Sequence, residues 1–142
     1  MELLPSALIP FVEKRLESSI KGHWQVEVVQ RVQGLRPNST GDVGWDQQGL
    51  LKTMMAFWKD AFATVLGHPE RSYVSELLDV RNKLSHNETF TYDDADRALD
   101  SMRRLMESIS AGDAAEQLSR MRDTILRTKF TELQRNEERR KT

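Results

Sequence analysis

The segment from Leu50 to Leu66 constrains this chain most. Leu50, Leu51, Met54, Met55, Phe57, Trp58, Phe62, Val65 and Leu66 fall at helical spacing and cover much of a helix's circumference. A helix apolar on so many sides must be surrounded by other elements, so this one is expected at the centre of a helical domain. Asp46 is placed to cap its N-terminus, and Gly67 to stop it.

The rest of the chain supplies the surround. Leu8, Phe11, Val12, Leu16 and Ile20 predict a first helix, with Pro5 in an early turn. Pro10 marks either its start or a bend, and Gly22 its end. Trp24, Val28 and Val29 predict a short second helix to Val32. Residues 34–44, with Pro37-Asn38-Ser39-Thr40-Gly41, read as a loop. Pro69 suits the first turn of a fourth helix that runs to about His86. After a short connection over Asn87 to Tyr92, Asp93 or Asp94 caps a fifth helix with Ala95, Ala98, Leu99, Met102, Leu105, Met106 and Ile109 on one stripe. Gly112 breaks the chain and Asp113 caps a sixth helix carrying Leu118, Met121, Ile125, Phe130 and Leu133. No strand alternation or internal repeat is present. Short links between such helices favour antiparallel neighbours, so the expected fold is all-α, an up-and-down antiparallel bundle of five to six helices.

Residues 1–133 make one helical domain on this reading. Residues 134–142 carry no apolar side chain and are expected to form a charged helix end or a linker toward a C-terminal region. Met1 looks like a natural start, so the chain is expected to be the N-terminal piece of something longer.

The formal net charge is −1, so any nucleic-acid contact needs a local basic patch. The chain has no cysteine. That excludes disulfides, thiolate catalysis and cysteine-ligated zinc, and points to a reducing, cytoplasmic compartment. No apolar run reaches membrane-spanning length. His23, His68 and His86 match no metal spacing, and Asp93, Asp94 and Asp96 read as ordinary first-turn complements of a helix dipole. No cofactor or metal is expected. Without a phosphate-binding glycine loop, an ATPase or helicase region would have to lie outside this chain.

The chemistry concentrates in Arg81-Asn82-Lys83-Leu84-Ser85-His86. On a wheel of about 100° per residue, Tyr73, Val74, Leu77, Leu78, Val80 and Leu84 form an apolar arc, and Arg81 falls near its middle. A guanidinium there needs hydrogen-bond partners or an opening to solvent. Asn82 and His86 share a face. Arg81 and His86 lie about 140° apart on an ideal helix, a separation that the last helical turn and arginine's length can reduce. The negative end of the helix dipole suits a proton-donating imidazole at His86. Two readings stand. Arg81 and His86 form a phosphodiester site, or Arg81 snorkels to a carboxylate such as Glu76 or Asp79 while His86-Asn87 caps the helix. Among the aromatic residues, Trp58 reads as core, whereas Trp24 and Trp45 flank the loop and are read first as packing, with base stacking left open.

These residues resemble the signature of the HEPN superfamily (higher eukaryotes and prokaryotes nucleotide-binding), whose members carry Arg, four to six residues, then His, often with Asn directly after the Arg. Glu76-Leu77-Leu78-Asp79-Val80 leads in, Asn87-Glu88-Thr89-Phe90 follows, and Asp93-Asp94-Ala95-Asp96-Arg97-Ala98-Leu99 opens the next helix. The likeness extends from Leu8-Ile9-Pro10-Phe11 to about Gly112. It is to the branch shared by a nuclear RNA-surveillance endoribonuclease and the N-terminal regions of large bacterial phage-defence proteins. The resemblance implies a metal-independent endoribonuclease acting as a homodimer on RNA, within a larger antiviral, toxin-like or stress-response protein. It places catalysis on Arg81 and His86 with Asn82 in support. Lys83, Arg71 and Arg36 are the cations nearest the motif or on the loop that can supply an RNA track. The alternative is a catalytically inactive HEPN module for dimerisation and RNA or protein binding.

Overall fold

The structure is a computed structural model that describes residues 3–86 and 89–141, with the backbone alone at residues 3, 4, 85 and 141. Among the described residues six α-helices follow one another: α1 (Leu3–Ser19), α2 (Trp24–Arg31), α3 (Gln47–Ala56), α4 (His68–Ser85), α5 (Tyr92–Ser108) and α6 (Gly112–Lys141). A π-helical turn, Trp58–Phe62, follows α3. Among the described residues there is no strand beyond an isolated antiparallel bridge between Pro37 and Val43. None of the helices described is long and apolar enough to cross a membrane.

The third apolar segment is central, as its circumference requires. Leu50, Leu51, Met54 and Phe57 are buried, and α3 packs between α1 and α4. Asp46 caps it, its carboxylate accepting the Gly49 N–H at 2.6 Å. Leu8, Val12 and Leu16 of α1 close one side, and Val74 and Leu77 of α4 the other. α5 lies on α4 and α6 on α5, so neighbours in sequence are neighbours in space. α1 runs through Pro10, which lies on its exposed side. Burial of Leu8, Val12 and Leu16 outweighs the one lost backbone bond.

Three boundaries differ from expectation. The third helix does not run unbroken to Leu66, because the chain widens into the π turn, where Ala63 N–H bonds to Trp58 C=O at 2.7 Å. Two arginines occupy carbonyls around that widening: Arg31 donates to Ala56 C=O at 3.0 Å, and Arg15 to Ala61 C=O at 3.0 Å. At α5 the cap is Thr91, two to three residues before the aspartates expected there. Its hydroxyl accepts the Asp94 N–H while Asp94 accepts the Thr91 N–H, a reciprocal pair. Between α5 and α6 the reversal falls on Ser110, whose φ of 63° is left-handed, and Gly112 is already helical. Asn87, Glu88, Met1 and Thr142 lie outside the described residues.

Candidate functional site

α4 is set at both ends. Pro69 occupies its first turn, and the Gly67 N–H donates to the Glu70 carboxylate at 3.0 Å. At the far end the His86 N–H donates to Asn82 C=O at 3.1 Å, and His86 leaves the helix with ψ of 9°. The Arg81-to-His86 motif therefore spans the last turn and the residue that closes it.

Arg81 is half-buried and lines a cleft of about 410 Å³ with Pro5 of α1 and Asp46 and Gln47 at the start of α3. It opens between helices instead of entering the core beside Leu77, which is fully buried. Asn82 lies next to it, and its carbonyl oxygen accepts from Gln48 Nε2 at 3.3 Å. With its acceptor engaged, the Asn82 side-chain NH₂ remains as the donor end. His86 is exposed. The elements thus bring Arg81 and Asn82 to the α3 N-terminus and leave the imidazole at the open end of the same helix.

The two carboxylates weighed as partners for Arg81 face elsewhere. Glu76 accepts from Arg97 and from Ser101 Oγ, the latter at 3.1 Å. Asp79 lines clefts on the α5 side of α4.

The three outlying cations do not line the Arg81 cleft. Arg71 lines one of about 360 Å³ with Glu76, Asp79 and Arg97. Lys83 lines another of about 270 Å³ with Glu76, Asp79, Asp94 and Arg97. There Thr91, through its backbone N–H above all and its hydroxyl next, holds the Asp94 carboxyl below the usual range, and the Lys83 charge adds a smaller share. Arg36 is exposed on the loop before α3.

Pro5, Asp46, Gln47 and Gln48 are the residues around the motif that sequence reasoning missed. Asp46 was legible only as a cap. Gln48 carries no signal, since its 34-residue separation from Asn82 becomes a contact only once α3 packs on α4. Among the described residues, no group of three or more His, Asp or Glu side chains is placed to hold a metal ion.

The family model described as Swt1-like HEPN matches residues 1–110. That span takes in α1 to α5 and leaves α6 outside. No curated protein and no solved structure matches the chain. The helical bundle and the match over most of its length agree, and domains of this kind often bind RNA and dimerise. The chain belongs to the Swt1-like HEPN family.

Proposed function

We propose that this domain is a metal-independent endoribonuclease in which Arg81 and His86 are catalytic and Asn82 supports them. RNA brings its own nucleophile. The 2′-oxygen attacks phosphorus, its proton leaves to a base, and the bond to the 5′-oxygen breaks as that oxygen gains a proton. A 2′,3′-cyclic phosphate and a free 5′-hydroxyl result. Guanidinium suits the charged phosphorane through paired N–H donors. Imidazole suits the proton transfers, a contribution of roughly a hundred- to ten-thousand-fold. The free NH₂ of Asn82 suits a phosphate oxygen.

One observation carries this reading. Arg81 sits on an otherwise apolar arc yet lines an open cleft with Asp46 and Gln47, beside an asparagine that accepts a hydrogen bond from Gln48. One imidazole does not easily serve as base and acid in the same turnover. A twofold dimer that joins the ends of two α4 helices supplies a second, and we assign the active form to that arrangement. Arg36, Arg71 and Lys83 are assigned to the path of the RNA outside the cleft. The lack of cysteine supports a cytoplasmic setting. The resemblance to phage-defence N-terminal regions supports a place within a larger antiviral or stress-response protein.

The test is incubation of RNA with the purified chain in chelator, beside Arg81→Ala and His86→Ala. Cleavage to cyclic-phosphate ends is expected from the parent and at least about a hundredfold less from each variant. Cleavage that survives both substitutions removes the site. RNA binding without cleavage by the parent would make the domain an inactive binding module.

A further inference from the structure

A second cavity lies away from α4. It measures about 710 Å³ and opens between α2 and the loop before α3. Trp24, Val26, Val29 and Pro37 give it apolar walls, and Gln25 and Gln30 bring side-chain amides. Unlike the clefts at Arg71, Lys83 and Arg81, its lining holds no carboxylate.

The three tryptophans divide by environment. Trp58 stacks on Phe62 with ring centroids 6.2 Å apart. Trp45 donates its indole N–H to Glu13 at 3.0 Å. Both belong to the packing. Trp24 is half-buried, one part against the core and another in the cavity. Its indole N–H makes no hydrogen bond among the described residues.

The opposite wall adjoins a hydrogen-bonded turn. Asn38 Oδ1 accepts from the Thr40 N–H, the Thr40 hydroxyl and the Asp42 N–H at 3.0, 2.7 and 3.0 Å. Pro37 bridges to Val43 beneath that turn. Gly22 and Gly41 border the cavity with φ of 86° and 85°, and a Cβ at either would meet nothing within 4 Å. Backbone there is open to a ligand's approach. In sequence the exposed Lys21 and Arg36 directly adjoin Gly22 and Pro37 of the lining, and the exposed Glu27 and Asp42 adjoin Val26 and Gly41.

An aromatic wall, side-chain amides and a lining without a carboxylate suit one ligand class. We propose that this cavity takes an unpaired base of single-stranded RNA, stacked on Trp24, with Lys21 and Arg36 toward the flanking phosphates. The proposal rests on reading the domain as one that acts on RNA, and it adds a holding site apart from the Arg81 cleft.

The test uses a labelled single-stranded RNA with 2′-O-methyl riboses, which removes the nucleophile and separates binding from cleavage. Fluorescence anisotropy is read on the full chain, Trp24→Phe, Trp24→Ala and Val26→Glu. Trp24→Ala is expected to weaken binding about 5- to 100-fold, the worth of one base stacked on an aromatic ring, and Trp24→Phe to keep most of it. Val26 is 55% exposed, so Val26→Glu adds a carboxylate to the wall without disturbing the core. It is expected to weaken binding at least about fivefold through phosphate repulsion, and it carries the test if Trp24→Ala fails to fold. Unchanged affinity in Val26→Glu and in folded Trp24→Ala overturns the site. So does a parent that binds a proline-rich peptide here and no RNA. Unchanged RNA affinity in both variants, with cleavage by the parent intact, would sink this cavity alone. A Trp24-dependent response in a chain that cleaves nothing would sink the nuclease reading alone.

Discussion

Asn82 owes its orientation to a residue on another helix. Its carbonyl oxygen is held by Gln48, so the NH₂ end can face a phosphate. Gln48→Ala frees the amide to rotate, and about a tenfold fall in kcat at unchanged KM is expected from lost orientation. Asn82→Ala should fall further, and the double variant no further still, because both changes act through one group. The hydrogen bond is exposed, so thermal midpoints should stay put. A Gln48→Ala enzyme with parental kcat would show that the amide needs no fixing. Asp100 illustrates a second kind of residue, structural and pH-sensitive. Arg103, by its hydrogen bond above all, holds the Asp100 carboxyl below the ordinary carboxylate range against the opposing effect of partial burial, and Arg104 and Arg122 add to it. A carboxyl lowered in the folded state stabilises the fold at pH above its unfolded pKa, and that stability is lost as pH falls through the folded value. Asp100→Asn should therefore cost about 1–2 kcal/mol at neutral pH in urea melts. The gap to the parent should close in acid, below the ordinary carboxylate range. A gap that persists at low pH would place the effect in packing instead.

At the scale of elements, the π turn was least legible. The apolar spacing from Leu50 to Leu66 continues across it, so period alone gives one long helix. What reshapes the chain there lies elsewhere in the sequence. Arg31 reaches from the end of α2 to Ala56 C=O at 3.0 Å and Asp60 at 3.2 Å, and its guanidinium carbon sits 4.4 Å above the Phe57 ring. Arg15 reaches from α1 to Ala61 C=O and Thr64. A carbonyl without its helical partner needs such a donor. Arg31→Ala should cost about 1–2 kcal/mol for the lost hydrogen bonds and cation–π contact. Arg31→Lys should recover less than half, because an ammonium cannot hold the carbonyl and cover the ring together. Full recovery by lysine in denaturant titrations would reduce the role to charge alone. Thr91 was missed for a simpler reason. Both Asp93 and Asp94 are good caps by type, and only the backbone shows that Asp94 serves as the third residue of the helix, returning the bond to Thr91. By contrast Asp46, Pro69 and the apolar arc of α4 were legible because their causes are local. Arg81 was singled out for the same reason, as a charge that breaks a local pattern.

The whole molecule is a set of packed helices with the proposed site at one end of α4 and exposed apolar residues both there and along α6. α6 was expected to carry Leu118, Met121, Ile125, Phe130 and Leu133 as its apolar residues. Leu118 is buried, Met121 is exposed, and Phe130 and Leu133 lie open. Charge takes over where apolar contact thins: Arg122 pairs with Asp96 at 2.5 Å and Asp100 at 3.2 Å, and Lys129 with Asp93 at 2.6 Å. Within the motif, Leu84 is 40% exposed and rims an apolar hollow of about 150 Å³ with Val80, Phe90, Ala98 and Met102. It stands two residues before His86, so a twofold axis that joins two α4 ends would carry Leu84 near its copy. Leu84→Lys tests this without harming the fold, since an exposed leucine near a helix C-terminus exchanges for lysine at little cost. Two added cations across a symmetry axis repel each other, yet a cation near the motif should aid RNA binding. Sedimentation should therefore show the variant dissociating at concentrations where the parent is paired. Cleavage per chain should fall at least about tenfold and recover as protein concentration rises. A variant that stays paired, or a monomer that cleaves at the parental rate, would mean that one chain holds the complete site and that the second histidine is unnecessary.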